Sequence, residues 1–318
     1  MDHEDTSLNP AVDRRGLLRH CSGWAGAAAL YTVSGGVLSS VGIDQAIAAG
    51  PRSAKTKPFT FVQISDTHIG FDKGANPDVR GSAMHAVALI KALPQKPDLV
   101  LHTGDVTHLS KDAQFDDARQ ILSGLGVPVF FVPGEHDMLD EGQGKAFLAH
   151  HGQGTQGTGW QSFDHNGVHF VGLNNVTDLK PGGMAHIGEE QLAWLAKDLG
   201  GLSASTPIVV FAHIPLWTVY EDWGWGTDDS AQALSLLKPF GSVTVFNGHI
   251  HQILHKLEGN VTFHSARSTA YPQPSPGSAI SPGPLTVPAE QLPTMLGIRS
   301  AKFVRGNAPI PLIEQTLA

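Results

Sequence analysis

The sequence predicts an α/β fold built on a mixed β-sheet, and three observations support this assignment. From Phe59 onward, short apolar runs alternate with segments whose apolar residues recur at helical spacing, the pattern of an α/β domain. Segments 160–170 and 253–264 alternate between apolar and polar residues, which favours antiparallel strands next to parallel ones. A composition with 41% hydrophobic and 16% charged residues excludes a disordered chain.

The first fifty residues have the order of an export signal. Arg14 and Arg15 precede a stretch rich in Ala, Gly, Leu, Val and Ser at 21–41, and small residues follow at 46–49. The arginine pair and the weakly hydrophobic core resemble a twin-arginine signal, which exports folded proteins. We therefore predict a signal peptide at 1–49, a linker at 50–58 and a periplasmic or extracellular mature protein without stable membrane association. The alternative is a form that the uncleaved segment tethers to the membrane.

The remaining elements follow from periodicity. Strands are predicted at the short apolar runs 59–65, 98–103, 129–132, 168–173, 208–212 and 243–247. Helices are predicted where apolar residues recur every three or four positions, at 78–93, 112–125, 189–199 and 229–237. The Gly-rich stretch 142–159 is predicted to be a flexible loop, and the many prolines of 271–295 predict an irregular segment that either wraps the domain or trails from it.

Five of the predicted strands end on residues that can bind a metal ion. In parallel strands of an α/β sheet, such residues meet at the carboxyl edge. Any one of them alone is better explained as a buried polar residue at a strand end, but the ordered set favours a dinuclear metal centre and metal-assisted hydrolysis. The candidate ligands are Asp66, His68, Asp105, Glu135, His213, His249 and His251.

The cysteine content limits the type of metal site, and the net charge limits the type of binding partner. The one cysteine, Cys21, lies in the predicted signal, so zinc-finger and iron–sulfur sites are excluded and the ligands must be nitrogen and oxygen. A net charge of −8 argues against a nucleic-acid polymer as partner. A small anionic substrate would have to be attracted by bound cations.

In their order, the five blocks resemble the calcineurin-like metallophosphoesterase superfamily, whose pattern is D-x-H, G-D, G-N-H-D/E, H and G-H-x-H. The resemblance covers residues 59–270 and implies a catalytic domain there, folded as a two-sheet mixed β-sandwich flanked by helices. Residues 271–318 would then be a Pro-rich C-terminal extension, packed on the domain or trailing from it. Within the superfamily, the chain is most similar to the cyclic nucleotide phosphodiesterase and purple-acid-phosphatase-like branch.

The resemblance also implies which of the candidate ligands bind each of two ions. The first ion would be bound by Asp66, His68, Asp105 and His251. The second would be bound by Asp105, Glu135, His213 and His249. The ions would be divalent or trivalent Fe, Mn or Zn, and a hydroxide bridging them would attack phosphorus in line. His136 would lie near the leaving group, with Asp137 orienting its ring.

Two positions depart from the family pattern. Glu135 stands where the family has Asn, so a full negative charge replaces a neutral ligand. His108 stands where the purple acid phosphatases have Tyr, so a tyrosinate-coloured iron site is not expected. His108 either lines the pocket or caps a loop.

The function expected from the resemblance is hydrolysis of a small phosphodiester, with cyclic nucleotides as one candidate. The alternatives are a non-specific phosphomonoesterase of the same fold and a metal-dependent binding or sensing domain without catalysis, which Glu135 would permit. The aromatic segment Trp217–Trp225 either stacks on the substrate or forms a small satellite core. The sequence does not predict an oligomeric state.

Overall fold

The computed structural model of the protein describes residues 29–34, 37–42, 57–306 and 308–318. Strands β1 (Ala29–Ser34) and β2 (Val37–Gly42) pair antiparallel with each other. Most of the predicted signal peptide and linker lies outside the described residues. Among the described residues, no helix is both long enough and apolar enough to cross a membrane.

From residue 57 onward, strands and helices alternate along the chain. The strands are β3 (Phe59–Ile64), β4 (Leu99–His102), β5 (Val129–Phe131), β6 (Gln161–His165), β7 (Val168–Gly172), β8 (Ile208–Phe211), β9 (Val243–Asn247), β10 (His255–Glu258), β11 (Val261–Ser265), β12 (Gly297–Phe303) and β13 (Leu312–Thr316). The helices are α1 (Val79–Lys91), α2 (Asp112–Ser123), α3 (Lys145–His151), α4 (Glu189–Leu199), α5 (Ser230–Leu237) and α6 (Leu292–Met295), with short 3-10 turns at Glu135–Met138 and Glu221–Trp223.

These strands form two mixed sheets. One has the order β13-β12-β3-β4-β5, and the other has the order β10-β11-β9-β8-β7-β6. Strands β3, β4 and β5 are parallel, as are β7, β8, β9 and β11, while β12, β13, β6 and β10 run antiparallel to their neighbours. The mixed sheets, and the antiparallel strands in 160–170 and 253–264, are as the sequence predicts.

The two sheets pack face to face because alternate side chains of their strands are apolar. Phe61 of β3 packs edge-to-face on Phe170 of β7 at 5.6 Å and on Phe246 of β9 at 5.7 Å between ring centroids. All three rings belong to one buried cluster drawn from both sheets. Strands buried on both faces explain the nearly continuous apolar runs of the sequence.

Helices cover the outer face of each sheet. Val62 and Val100, which point away from the sandwich interior, pack in one cluster with the apolar faces of α1 and α2. On the other sheet, Val210 and Val245 pack with α4 and α5 in the same way. The result is the two-sheet sandwich flanked by helices that the resemblance implied.

Two features of the framework differ from the sequence analysis. The Gly-rich stretch 142–159, predicted to be a loop, contains helix α3, whose Phe147 is fully buried. Strand β12 lies within the five-stranded sheet and is hydrogen-bonded to β3. A domain limit at 270 therefore separates β12 from its neighbour in the sheet. The segment 266–291 between β11 and α6 contains no helix or strand.

A buried histidine in α3 predicts that stability depends on pH. His151 stacks on Phe131 at 4.0 Å between ring centroids, and its Nε2 has no hydrogen-bond partner among the described residues. Burial lowers the pKa of His151 to about 4, with smaller contributions from His150 and Arg119. The unfolded chain, with a histidine pKa near 6.5, then takes up a proton between pH 6.5 and 4 that the folded chain does not bind, so stability is lost as the pH falls.

We expect the substitution His151→Phe, which keeps a ring but cannot titrate, to reduce that loss by about 2 kcal/mol. Urea unfolding at pH 7 and pH 4.5 measures it. Buried His102 and His264, whose pKa values are each lowered to about 3, should leave part of the pH dependence in place. An equal loss in the two proteins would contradict the assignment to His151.

Candidate metal centre

The seven candidate ligands lie together at the carboxyl ends of the parallel strands of both sheets. Backbone hydrogen bonds join the loops that carry them: the amide of Asp66 donates to Gly104 at 3.0 Å, and that of His68 donates to Asp105 at 2.9 Å. In the other sheet, Gly248 donates to His213 at 2.9 Å. Residues from five separate blocks of sequence therefore lie in one site, in which Asp66, His68, Asp105, His213 and His251 are buried.

Two clusters can be distinguished within the site. In the first, His251 Nε2 lies 3.3 Å from Asp66 Oδ1 and 3.4 Å from His68 Nε2. In the second, the two oxygens of Glu135 lie 2.7 Å from His213 Nε2 and 2.9 Å from His249 Nδ1. Each cluster brings its ligand atoms within 4.8 Å of one another, close enough to hold one ion.

Asp105 lies between the clusters. Its Oδ2 is 3.4 Å from His68 Nε2 in the first cluster and 3.5 Å from His213 Nε2 in the second. Its other oxygen accepts a hydrogen bond from the amide of His136 at 2.9 Å. Asp105 therefore lies within reach of a ligand atom of each cluster.

Backbone carbonyls orient two of the imidazoles toward the centre. His213 Nδ1 lies 2.7 Å from the carbonyl oxygen of Thr103, and His251 Nδ1 lies 2.6 Å from that of Tyr271. A carbonyl can only accept, so each Nδ1 carries a proton, and with an ion bound each Nε2 would present its lone pair. Such outer hydrogen bonds are typical of histidines that bind metals.

Buried atoms without hydrogen-bond partners fit a metal centre. Asp66 Oδ2 is buried and has no hydrogen-bond partner within the described part of the chain. Glu135 Oε2 and His213 Nε2 are also buried; they lie 2.7 Å apart as an ion pair, but without hydrogen-bond geometry. Burying such groups unpaired is costly. Nitrogen and carboxylate donors at these positions suit Fe, Mn or Zn.

The backbone is strained where it presents these ligands. Five of the seven have positive φ, between 40° and 67°: Asp66, His68, Asp105, His249 and His251. Left-handed conformations of non-glycine residues cost on the order of 1 kcal/mol or more each, and they cluster at functional sites. The surrounding sandwich must supply the stability that holds them.

Two glycines are required because the loops that carry Asp105, Glu135 and His213 approach one another closely. At Gly104, where φ is +91°, a Cβ would lie 2.5 Å from His213 Nδ1 and 2.8 Å from the amide nitrogen of Gly134. At Gly134, a Cβ would overlap the carboxylate of Asp105. The glycine before Asp105 and the glycine before Glu135 therefore let the two loops meet.

Electrostatics differ between the clusters. Burial raises the pKa of Glu135, but His249 and His213 outweigh it and hold that pKa well below its usual range. Burial lowers the pKa of His213, but Asp105 and Glu135 hold it well above its ordinary value. Burial, with His136 and His251 nearby, holds the pKa of His68 well below its ordinary value, which leaves that imidazole neutral and able to bind a cation.

His136 lies beside the first cluster, but Asp137 does not orient its ring as the sequence analysis predicted. The ring of His136 lies 4.8 Å from that of His68 between centroids, and its Nδ1 is 2.8 Å from the carbonyl oxygen of His108. The ring of His108 stacks on that of His136 at 4.7 Å. Of the two alternatives for His108, the structure favours the pocket lining.

The Asp137 carboxylate instead joins two loops. It accepts hydrogen bonds from the amides of Val106 and Thr107, from the Thr107 hydroxyl and from the amide of Gly134, at 2.8 to 3.0 Å. Asp137 thus holds the loop after β4, which carries Asp105, against the loop after β5, which carries Glu135.

The sequence analysis missed Tyr271. Its hydroxyl lies 3.1 Å from His68 Nε2, and its ring stacks on that of His68 at 4.8 Å between centroids. Position 108 is not a tyrosine, yet a tyrosine from the chain after β11 contacts His68 of the first cluster. No local signal identified it, because Tyr271 follows His251 by 20 residues and begins the Pro-rich segment.

A cleft of about 690 Å³ opens onto the site. His108, Glu135, His136, His249 and Tyr271 lie at its base. Its walls come from the loops at 178–183 and 222–225 and from the Pro-rich segment at 280–284. The Pro-rich segment therefore borders the cleft.

The aromatic segment forms a satellite core as well as a wall. Trp223 and Trp225 pack with Ile250, and they are 8% and 0% exposed. Both line the cleft. Trp217 packs instead on Phe263, at 5.1 Å between ring centroids.

Comparison with known proteins gives the family. The model of the calcineurin-like phosphoesterase family matches residues 59–253. A 3',5'-cyclic-nucleotide phosphodiesterase of Nostoc sp. is 24% identical over 67% of this chain and 79% of its own. A probable glycerophosphodiester phosphodiesterase of Arcobacter nitrofigilis is 27% identical over 48% of this chain and 56% of its own.

Among solved structures, a dimetal phosphatase from Danio rerio superposes with a TM-score of 0.59 at 15% identity, covering 82% of this chain and 96% of its own. This likeness agrees with the two-sheet architecture. The matched residues 59–253 are more than half of the chain and include every candidate ligand. The protein therefore belongs to the calcineurin-like phosphoesterase family and is a metal-dependent phosphoric ester hydrolase.

Proposed function

We propose that this protein hydrolyses a small phosphodiester, such as a cyclic nucleotide, at a dinuclear metal centre. The observation that carries the proposal is the pair of clusters that share Asp105, together with the buried Asp66 Oδ2, which has no hydrogen-bond partner among the described residues. The names of the relatives from Nostoc and Arcobacter support a diester rather than a monoester substrate.

In this proposal the clusters correspond to the two sites expected from the sequence. The first ion would be held by Asp66, His68, Asp105 and His251, and the second by Asp105, Glu135, His213 and His249. Bound cations would neutralise phosphate charge and lower the pKa of a bound water to about 7. Glu135, with both oxygens facing imidazoles, adds a negative charge that favours a harder or more highly charged second ion.

His136, which is not a candidate ligand, is placed to act on the substrate. His136 borders the cleft, and its Nδ1 is held by the His108 carbonyl, so its Nε2 is free to meet the leaving oxygen. Burial lowers the pKa of His136, but Asp105 and Glu135 outweigh this and raise it. His136 is thus suited to donate a proton to the departing alcohol.

The test is elemental analysis of the purified protein together with hydrolysis of bis(p-nitrophenyl) phosphate and p-nitrophenyl phosphate. About two ions per chain with faster cleavage of the diester would support the proposal. Faster cleavage of the monoester would assign the protein as a phosphomonoesterase. Metal binding without turnover of either ester would favour a binding or sensing domain.

Tyr271 should contribute to catalysis rather than to metal binding. With an ion bound at His68 Nε2, the Tyr271 hydroxyl would lose that partner and would be available to a substrate in the cleft that Tyr271 lines. Burial and the carboxylates of Asp105 and Asp66 raise the pKa of Tyr271 well above its ordinary value, so the hydroxyl remains a donor for a phosphoryl oxygen.

We expect Tyr271→Phe to lower kcat for bis(p-nitrophenyl) phosphate about 10- to 100-fold, the value of one hydrogen bond to a charged group. The metal content should equal that of the unsubstituted protein. An unchanged kcat would remove the hydroxyl from the mechanism, and a loss of metal would make Tyr271 a ligand instead.

A further inference from the structure

The cleft beside the metal centre has apolar walls that the main core does not require. Four of its lining residues belong to one small apolar cluster: Met138, Val176, Leu179 and Ile214. Trp223 and Trp225 belong to another such cluster. Both clusters are separate from the larger cores that hold the sheets and helices together.

Two aliphatic side chains of the lining are exposed to solvent. Leu139 exposes 57% of its surface, and Ile280 is fully exposed. Large aliphatic groups that face water around a polar site are typical of surfaces that bind an apolar group. The two residues come from distant parts of the chain, so their meeting at one cleft is a property of the fold.

The position of Leu139 is fixed relative to His136. The Leu139 amide donates to Ser110 Oγ at 3.0 Å, and Ser110 Oγ donates to the His136 carbonyl at 3.0 Å. The 3-10 turn that carries Glu135 and His136 ends immediately before Leu139. The exposed leucine is therefore held next to the polar site.

The charges and aromatic rings that line the cleft further restrict the type of organic group that it can bind. Besides the candidate ligand Glu135, the described residues that line the cleft include two carboxylates and two ammonium groups. The carboxylates belong to Asp178 and Asp222, and the ammonium groups to Lys73 and Lys180. Because these opposite charges are equal in number, we expect the organic group of the ligand to be uncharged. Because Trp223 and Trp225 are almost completely buried, they offer little ring face for a nucleobase, whereas Leu139 and Ile280 offer aliphatic surface.

We propose that the cleft binds an aliphatic organic group of the phosphoester, through Leu139, Ile280 and the apolar walls behind them. This inference rests on the proposed function, since it takes the metal centre as the place where the phosphoryl group binds. It narrows the proposed diester class: esters with an alkyl or acyl-chain portion are preferred over cyclic nucleotides and over esters whose organic groups are small and polar.

The test uses methyl-, butyl- and octylphosphonate as inhibitors, because their carbon–phosphorus bond is not an ester. Ki is measured against bis(p-nitrophenyl) phosphate with the metal-loaded protein, and Kd is measured by calorimetry. Each buried methylene contributes about fourfold, so burial of only two of the added methylenes predicts an affinity for octylphosphonate about 15-fold higher than for methylphosphonate.

The double substitution Leu139→Ser/Ile280→Ser should reduce that preference severalfold and leave the affinity for methylphosphonate unchanged. Leu257→Ser is the matched control, since Leu257 is 72% exposed on β10 and does not line this cleft. Equal affinities for the three phosphonates, or an unaltered preference in the double variant, would overturn the inference. Calorimetry keeps this result distinct from failure of the proposed function, which appears as absence of hydrolysis of both nitrophenyl esters.

Discussion

Replacing Asp105 by Asn is expected to lower kcat for bis(p-nitrophenyl) phosphate by about a thousandfold or more. The carboxylate lies 3.4 Å from His68 and 3.5 Å from His213, so it is the contact that both clusters share. Loss of its charge weakens both proposed ion sites together, and metal ions stabilise such transition states by several kcal/mol. Asn keeps the shape and an oxygen that can accept the His136 amide, so the loops should stay in place.

The measurement pairs kcat with metal content and thermal unfolding. We expect fewer than two ions per chain in Asp105→Asn, and a similar loss of hydrolysis in Asp66→Ala, which removes a first-cluster ligand. Asp112→Asn is the control, because its carboxylate is 81% exposed on α2 and should leave kcat within twofold of normal. Activity of Asp66→Ala or Asp105→Asn within tenfold of the unsubstituted protein would rule out the dinuclear mechanism.

The candidate ligands could be found in the sequence because each is local to a strand. Asp66 and His68 directly follow β3, and His249 and His251 directly follow β9, so a buried apolar run and the ligands after it form one continuous pattern. Parallel strands bring such ends to one edge, and this rule needs no knowledge of the tertiary contacts. The positions at strand ends thus predicted which side chains lie together, and the family resemblance predicted how they divide between two ions.

Residues that reach the site through tertiary packing could not be found in this way. Tyr271 contacts His68 because the chain after β11 returns over the cleft, and a proline-rich context gives no periodicity from which that return can be read. The role of Asp137 was misjudged for a related reason. Adjacency in sequence suggested His136 as its partner, whereas its carboxylate turns toward the amides of Val106 and Thr107, about 30 residues away in the chain.

Strand β12 shows the same limit in the framework. Its sequence contains Arg299 and Lys302, and charged residues of this kind predict a segment that is exposed to solvent. The strand is nevertheless paired on both sides, with β3 and β13, and Arg299 is fully buried. A pattern of apolar residues cannot predict a buried cation whose partners lie on other strands.

Those partners make Arg299→Met the substitution with the largest expected effect on stability, a loss of about 3–5 kcal/mol in the free energy of unfolding. Arg299 donates to Gln63 Oε1 at 2.8 Å and to the Ser265 carbonyl at 2.6 Å, and it pairs with Glu314. Met fills a similar volume but satisfies none of these groups, and it leaves the Glu314 carboxylate, only 25% exposed, without its cation.

Guanidinium chloride unfolding measures the loss, and a matched surface pair shows whether burial is the cause. Arg80 forms a bidentate ion pair with Asp117, but its side chain is 49% exposed, so Arg80→Ala should lower the free energy of unfolding much less than Arg299→Met does. The double substitution Arg299→Met/Glu314→Gln removes the stranded charge and should recover part of the loss. If Arg299→Met cost no more than Arg80→Ala, the buried guanidinium would not be what holds β12 and β13 to β3, and the stability of that half of the sandwich would have to come from the apolar contacts of its strands.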